Sequence, residues 1–319
     1  TEQFANAPWA RPVINDVADE NSPGLESLLA GVGHLRCLPG RSSRSGDLRG
    51  ADALLVRSVP RVDEALLRHS PVRFVGSCTT GIDHVDVPAL NAAGIRFAHA
   101  PGANARSVVE YVFAALSWLA LRRRLELRRC TVGIVGLGQV GGRLYRMLSA
   151  AGLQCVGYDP FVEAGAGVRQ VGTLERVLQA DIVTLHTPLT RTGPHPTWHM
   201  LDAARLRLLR PGCVLVNSSR GAVVDNSALA ELLAGGVELQ VVLDVWENEP
   251  LVDRALLRDV ALATPHIAGY SYDGKRAGVE RVVQRLFAAF SMGQMASRTD
   301  REQSEILPAF TGVAVDTPE

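Results

Sequence analysis

Thr131-Val-Gly-Ile-Val-Gly136-Leu-Gly138-Gln-Val-Gly141 decides the fold of this chain. Thr131–Val135 reads as a short apolar strand, and the G-x-G-x-x-G after it opens a helix whose apolar positions include Leu144, Leu148 and Ala151. A second strand-like run, Gln154-Cys-Val-Gly-Tyr158, ends at Asp159, 18 residues beyond Gly141. An isolated glycine triplet is weak evidence; strand, glycine turn, helix, strand and acidic residue in this order predict a dinucleotide-binding unit. Gly136 permits the tight turn, Gly138 lets backbone approach a pyrophosphate, and Gly141 lets helix and strand pack closely. The helix start offers unpaired N–H groups and partial positive charge to phosphates. Gly136, Gly138, Gln139, Val140 and Gly141 are therefore candidate cofactor-binding residues. The Asp159 carboxylate suits two ribose hydroxyls and repels a 2′-phosphate, which favours NAD over NADP. A flavin uses the same motif, but here the motif lies mid-chain.

Outward from this unit, strand-like and helix-like segments alternate. Ala53–Val56, Arg73–Gly76, Asp181–Leu185, Cys213–Val216 and Leu239–Leu243 read as buried strands. Val62–Arg68, Pro88–Ala93, Gly141–Ala150, Ala203–Leu209 and Ser227–Leu233 read as helices between them. Short continuous apolar strands separated by helices predict parallel sheets covered on both faces. The fold class is α/β: two Rossmann/flavodoxin-like, doubly wound parallel-sheet domains with a cleft between them. Two longer helices, about Ser107–Leu121 and Val279–Phe290, are placed at the crossings. The substrate domain is then discontinuous, 13–110 plus 279–319, around an NAD-binding domain at 111–278. Residues 1–12 and 293–319 have few periodic apolar positions.

Composition narrows the function classes. Lys+Arg and Asp+Glu both total 33, so no net field draws the chain to nucleic acid or an anionic membrane. The basic run Arg122-Arg-Arg124 with Arg128 and Arg129 follows an apolar helix, where cations suit exposed carbonyls. Val108–Leu121 is shorter than the roughly 20 residues of a membrane span and contains Glu110, so it reads as a buried helix. Cys37, Cys78, Cys130, Cys155 and Cys213 form no C-x-x-C pair, which argues against a disulfide framework or zinc site and fits a reducing cytoplasm. No metal site is expected.

Three loops after predicted strands carry the chemistry, because ligands of open parallel sheets bind at the carboxyl ends of strands. Val216-Asn-Ser-Ser-Arg220-Gly221 presents a guanidinium, which can hold a carboxylate through two parallel hydrogen bonds and polarise a neighbouring carbonyl. Asp244-Val-Trp-Glu-Asn-Glu249-Pro250 presents a carboxylate that would raise the pKa of an imidazole and fix its tautomer. In the same loop Asp244 is a candidate contact for the nicotinamide end of a cofactor. Thr264-Pro-His266-Ile-Ala-Gly269-Tyr270 supplies that imidazole, the natural acid/base for an alcohol proton near neutral pH. Among the other histidines, His186 beside Thr187-Pro188 is the one expected near the cofactor.

From about Ala51 to Gly278 the sequence resembles the D-2-hydroxyacid dehydrogenase family. The resemblance rests on the residues above, on Leu55–Val59, Phe74–His84, Ala100–Asn104, Val108–Phe113 and Arg220–Asn226, and on His266–Tyr270 with Gly274-Lys275. It implies an NAD-dependent oxidoreductase with Arg220, Glu249 and His266 as catalytic residues, His266 being the proton donor. It places Asp159, Thr187, Asp244 and Gly269 against NAD, and Ser58, Thr79 and Tyr270 against a small phosphorylated 2-hydroxy acid. Arg57, the Ser58 region and Lys275 are candidate partners for the phosphate. Similar enzymes carry a C-terminal dimerisation domain that would begin near Leu307-Pro-Ala309, so a homodimer is expected. Other members of the family acting on 3-phosphoglycerate or glyoxylate, and a non-enzymatic NAD-sensing corepressor on the same fold, remain alternatives.

Overall fold

The computed structural model describes residues 14–123, 125–162 and 171–290. The expectations for residues 1–12, Arg124 and 291–319 lie outside them.

Two parallel sheets organise the chain. The first contains β1 (Ile14–Asp19), β2 (Gly33–Leu38), β3 (Ala53–Val56), β4 (Phe74–Ser77) and β5 (Arg96–His99), in the order β2-β1-β3-β4-β5. The second contains β6 (Thr131–Val135), β7 (Gln154–Tyr158), β8 (Ile182–Leu185), β9 (Val214–Asn217), β10 (Gln240–Leu243) and β11 (Leu262–Ala263), in the order β11-β10-β9-β8-β6-β7. Every pairing is parallel. Strand order reverses between β1 and β3 and again between β6 and β8, which makes two doubly wound units. In such sheets a crevice opens outside the carboxyl ends at the reversal.

The helices are α1 (Leu25–Leu29), α2 (Glu64–Leu67), α3 (Val87–Ala92), α4 (Ala105–Arg123), α5 (Gly141–Ala150), α6 (Leu174–Leu178), α7 (Ala203–Leu206), α8 (Asn226–Ala234), α9 (Arg254–Asp259) and α10 (Tyr272–Ala289). Most begin on a side-chain cap: Asp63, Asp86, Thr173, Asp202, Asp225, Asp253 and Ser271 each accept a backbone N–H of the first turn. Such caps satisfy donors that a helix start leaves unpaired.

Every residue of β3, β4, β8 and β9 is buried, because helices cover both faces of both sheets. Two helices decide which segment joins which core. α4 buries Val109, Val112, Ala115, Leu116 and Leu119 against the second sheet, at the spacing of one helical face. It buries this one face and leaves the other exposed, Glu110 and Leu121 included, so the expectation of a wholly buried helix does not hold; among the described residues no helix is long and apolar enough to cross a membrane. α10 returns to the first sheet and buries Val279, Val282, Val283 and Leu286 there, each contributing roughly 1.5–3 kcal/mol of burial. It begins at Tyr272, seven positions before the expected Val279, because the Ser271 hydroxyl accepts the Gly274 N–H at 3.0 Å. Lys275 consequently lies in the first turn of a helix, directly after the His266–Tyr270 loop. Among the described residues after the apolar face of α4, Arg122 lies over the Trp118 ring and Arg129 pairs with Glu126.

In the first sheet β1 carries a buried acid. Asp16 is 2% exposed, and its Oδ1 has no hydrogen-bond partner. Burial, with the Asp52 charge nearby, pushes its pKa up to about 7. A carboxyl whose folded pKa exceeds its unfolded value destabilises the fold increasingly as pH rises between the two values. Asp16→Asn should therefore raise Tm relative to the parent, by a margin that widens from about pH 4 to about pH 7 and then stays level. Thermal melts across that range check this; a margin independent of pH would show that Asp16 does not titrate on folding.

Candidate active site

The loops after β9, β10 and β11 leave neighbouring strand ends, so the second sheet's order places them side by side. His266 Nδ1 donates to Glu249 Oε1 at 2.7 Å. That bond leaves Nε2 as the nitrogen available to a ligand. His266 sits in the left-handed region at φ 56, an uncommon conformation for a non-glycine residue. Asp244 holds the turn that requires it. This residue is completely buried, and its carboxylate accepts from the Thr264 hydroxyl at 2.6 Å and from the N–H groups of Ile267 and Ala268 at 2.8 Å. Trp246 steadies both halves of the pair, donating Nε1–H to the Thr264 carbonyl and its backbone N–H to Glu249 Oε2.

The electrostatics follow from this geometry. The hydrogen bond that His266 donates to Glu249, helped by the Glu249 charge and that of Asp244, raises the His266 pKa above 6.5 against the opposing effects of burial and Arg220. Burial alone would raise the Glu249 carboxyl, but the His266 hydrogen bond and charge, the Trp246 N–H and the Arg220 charge bring it below its ordinary value. The two shifts in opposite directions mark a pair that favours imidazolium and carboxylate together.

Arg220 completes the group. Asn217, fully buried at the end of β9, shapes its turn: Asn217 Oδ1 accepts the Ser219 N–H and hydroxyl, and Nδ2 donates to the Arg220 carbonyl. The next residue, Gly221, lies so close to the Trp246 carbonyl that a Cβ could not be placed there. The Arg220 and Glu249 loops are thus packed backbone to backbone.

The glycine turn lies at the end of β6. Gly136 has φ 86, which only glycine adopts without strain, and a Cβ on Gly141 would fall on the Gly136 carbonyl. Around Gly138, by contrast, a Cβ would meet nothing within 4 Å, so this residue faces open space. Asp159 Oδ2 accepts the Leu137 N–H at 2.8 Å, which ties the acid at the end of β7 to the turn, while Oδ1 accepts the Phe161 N–H. Gln139 approaches Gly102 of the first unit, and Val140 lies just ahead of α5. Two buried hydroxyls at the adjacent strand ends, Thr187 after β8 and Ser218 after β9, have no partner among the described residues. Orphaned buried polar atoms of this kind call for a ligand or water to satisfy them. Room at Gly138, a fixed acid and two unpaired hydroxyls fit a dinucleotide along this edge. His186 packs its carbonyl against Gly136, and burial pushes its imidazole down to about 3, so it stays neutral.

The first unit contributes the turn after β4. Thr79 Oγ1 donates to the Gly81 carbonyl at 2.9 Å and lies 2.9 Å from Ser77 Oγ, while the Thr80 hydroxyl bonds the Ala100 carbonyl and Asn104. Asp83 of this turn meets Arg220: Nε and Nη2 both reach Asp83 Oδ2, at 2.9 and 2.8 Å. Ser58 is exposed just past the end of β3, beside Arg57, whose Nη1 is buried without a partner. Tyr270 is 65% exposed under Lys275, whose Nζ stands 3.5 Å from the ring centroid. Gly269 abuts Asn104, leaving no space for a Cβ.

One further cluster has metal-ligating residue types: His199, Asp225 and Glu247. Its imidazole lies between the two acids, with Nε2 2.8 Å from Glu247 Oε1 and Nδ1 3.5 Å from Asp225 Oδ2. The second oxygen of each acid is used locally, Asp225 Oδ1 capping α8 and Glu247 Oε2 accepting the Asn226 N–H. The imidazole thus ties two loops together, and one donor atom from each of the three residues lies within 4.8 Å of the others.

Sequence reasoning passed over Asn217, Ser218 and Asp83. Asn217 and Ser218 stand in the quoted loop beside Arg220, where position at a buried strand's end was the available signal. Asp83 had none, since its partner lies 137 residues away.

Comparison with known proteins agrees with this geometry. Residues 108–268 match the model of the D-isomer specific 2-hydroxyacid dehydrogenase NAD binding domain. The erythronate-4-phosphate dehydrogenase of Pseudomonas entomophila is 52% identical over 269 residues, which cover 84% of this chain and 70% of that protein. That of Pseudomonas aeruginosa strain UCBPP-PA14 is 48% identical over 285 residues, 89% of this chain and 75% of that one. The structure of the TT0316 protein from Thermus thermophilus superposes with a TM-score of 0.75 at 27% identity, over 87% of this chain and 97% of that one. The chain belongs to the D-isomer-specific 2-hydroxyacid dehydrogenase family, and its second sheet is built in that family's NAD-binding domain.

Proposed function

We propose that this enzyme oxidises 4-phospho-D-erythronate to 2-oxo-3-hydroxy-4-phosphobutanoate with NAD, a step of pyridoxal phosphate biosynthesis. The observation that carries the reading is the 2.7 Å His266–Glu249 pair set beside Arg220 at adjoining strand ends, in a chain about half identical to erythronate-4-phosphate dehydrogenases. Arg220 grips the substrate carboxylate and the C2 oxygen. His266 Nε2 takes the C2 hydroxyl proton as base, and in the reverse direction gives it back. Glu249 orients the ring and stabilises the imidazolium. NAD, when bound, supplies the hydride acceptor. Gly136, Gly138, Gln139, Val140 and Gly141 receive its pyrophosphate, Asp159 its ribose, and Thr187 and Gly269 line its path. Asp244 serves the nicotinamide end through the His266 loop that it anchors. Ser58, Thr79 and Tyr270 contact the substrate, with the unpartnered Arg57 Nη1 and Lys275 as cations for its phosphate. The domains are read as 13–110 plus 279–319 and 111–278, a division that the packing of α4 and α10 on different sheets supports for the described residues. Five free cysteines support a cytoplasmic setting, and the family resemblance supports a homodimer.

Steady-state assays with 4-phosphoerythronate, 3-phosphoglycerate and glyoxylate test the substrate; a higher kcat/KM for either competitor would overturn it. His266→Ala should lower kcat by about 10²–10⁴-fold, the range for losing a general acid–base, while NADH fluorescence titration shows nearly unchanged binding. Wild-type turnover in that variant would remove His266 from the chemistry.

The raised His266 pKa fixes the sign of the pH dependence. Oxidation requires neutral His266, so kcat/KM should rise with pH through an apparent pKa above 6.5 and level off beyond it. Glu249→Gln removes the group that holds the proton on the ring, and the rising limb should move to lower pH. A limb that stays in place would separate Glu249 from the titration.

Asp159→Ala should weaken NAD binding and narrow the preference for NAD over NADP, measured as the ratio of the two kcat/KM values. An unchanged ratio would count against the ribose assignment.

A further inference from the structure

The guanidinium of Arg220 has five N–H donors. Asp83 Oδ2 takes the one on Nε at 2.9 Å and stands 2.8 Å from Nη2 as its ion-pair partner. The Ser219 carbonyl takes one from Nη1 at 2.8 Å. Asp83 thus lies along the Nε–Nη2 edge of the group, and the Nη1–Nη2 end keeps donors that neither partner takes.

We infer that Asp83 is a positioning residue, a carboxylate of the first unit that holds Arg220 of the second so that the donors left on its Nη1–Nη2 end face the substrate carboxylate. The inference rests on the reading of Arg220 as the substrate's carboxylate clamp.

Three features support it. The pair joins the two units, since Asp83 follows β4 and Arg220 follows β9. Asp83 stands on a turn fixed from within by the Thr79 and Thr80 hydroxyls, so its carboxylate is aimed by the fold. Gly81 of the same turn lies directly under Arg220 Nη2, with no space for a Cβ between them. The guanidinium is thus set against backbone on one face and held by a carboxylate along one edge. With side chains 57% and 29% exposed, Asp83 and Arg220 gain little stability from their pairing; what the pair supplies is direction. Misplacing a substrate clamp by about 1 Å can cost on the order of 100-fold in rate.

Asp83→Ala should lower kcat/KM for the hydroxy acid by about 10–100-fold, mostly through KM for that substrate, with KM for NAD and NADH binding unchanged. Asp83→Asn keeps an acceptor on the same edge of the guanidinium and should recover activity to within about tenfold of the parent, as expected from a neutral hydrogen bond roughly half as strong. Gly81→Ala should reproduce the Asp83→Ala defect by pushing the guanidinium aside while leaving the carboxylate in place. In an Arg220→Ala background, Asp83→Ala should have no further effect. The inference falls if Asp83→Ala stays within about twofold of the parent, or if its full loss persists when Arg220 is absent. Full turnover by Arg220→Ala alone would instead sink the clamp reading of Arg220 and this inference with it, so the two failures are distinguishable.

Discussion

A single buried carboxylate governs the active side of this molecule. Asp244 ends β10 with no solvent exposure and accepts three hydrogen bonds from the stretch Thr264–Ala268. That stretch turns sharply, which forces His266 to φ 56. Strain of this kind costs about 1–3 kcal/mol, and hydrogen bonds to a charged acceptor contribute about 1.5–3 kcal/mol each, so the anchor outweighs the strain. The network extends outward: the Thr264 hydroxyl, spent on Asp244, also meets the Tyr111 hydroxyl of α4 at 2.6 Å. Burial pushes the Tyr111 phenol up to about 12, which keeps it a donor at any working pH. The His266–Glu249 pair differs from an ordinary surface ion pair because backbone and buried groups aim both partners before any ligand arrives.

The second constraint is that the two sheets must meet in register. Side chains near the cleft do much of this. Ser107 at the start of α4 contacts Ser271 at the start of α10, Asn104 bonds Thr80 and abuts Gly269, and Asp83 bonds Arg220. Four of these residues belong to the segments that enter or leave the second sheet. The helix starts thus serve as the joint between units while α4 and α10 bury their apolar faces in different cores. Placing the joint beside the strand ends ties the spacing between the Thr79 turn and His266 to the packing of whole helices.

What could be read in the sequence tracks how burial marks the residues. The second sheet was legible because its inner strands are mostly apolar, and Thr131–Val135 and Gly141–Ala150 fall where the pattern placed them. In the first sheet β3 was legible for the same reason, but β1, β2 and β5 were not. β1 carries Asp16 and Asp19 in buried positions, β2 is an edge strand with no fully buried residue, and β5, at the other edge, includes Arg96 and His99. The strand expected at 73–76 is observed at Phe74–Ser77; the Arg73 backbone still bonds Asp52 and Arg96 on either side, while its side chain turns outward to pair with Asp52. In the site, Arg220, Glu249 and His266 were legible since each follows a recognisable strand end. Their supports were not: Asp83 and Tyr111 act through partners 137 and 153 residues away, and Trp246 acts through the fold of its own loop and of Thr264.

Charge distribution bears on how a doubly anionic substrate would find this cleft. The chain as a whole has 33 basic and 33 acidic residues, so its net field offers no attraction. Attraction has to come from local arrangement, which clefts can focus. Arg57 at the end of β3, Arg220 at the end of β9 and Lys275 in the first turn of α10 come from three different elements. Arg57 and Lys275 both act on Tyr270, which lowers its phenol pKa chiefly through the Lys275 hydrogen bond. Arg220 acts on Glu249 and His266. Cations thus stand at two places, one beside the proton-transfer pair and one beside Tyr270. A substrate with a carboxylate next to the reacting carbon and a phosphate at its far end would bridge them, whereas a monoanionic hydroxy acid would engage one and leave the buried Arg57 Nη1 unpaired. Leaving a buried donor unsatisfied carries a cost that a matched ligand avoids, and on the proposed assignment this difference would favour a phosphorylated substrate at an electrically neutral protein.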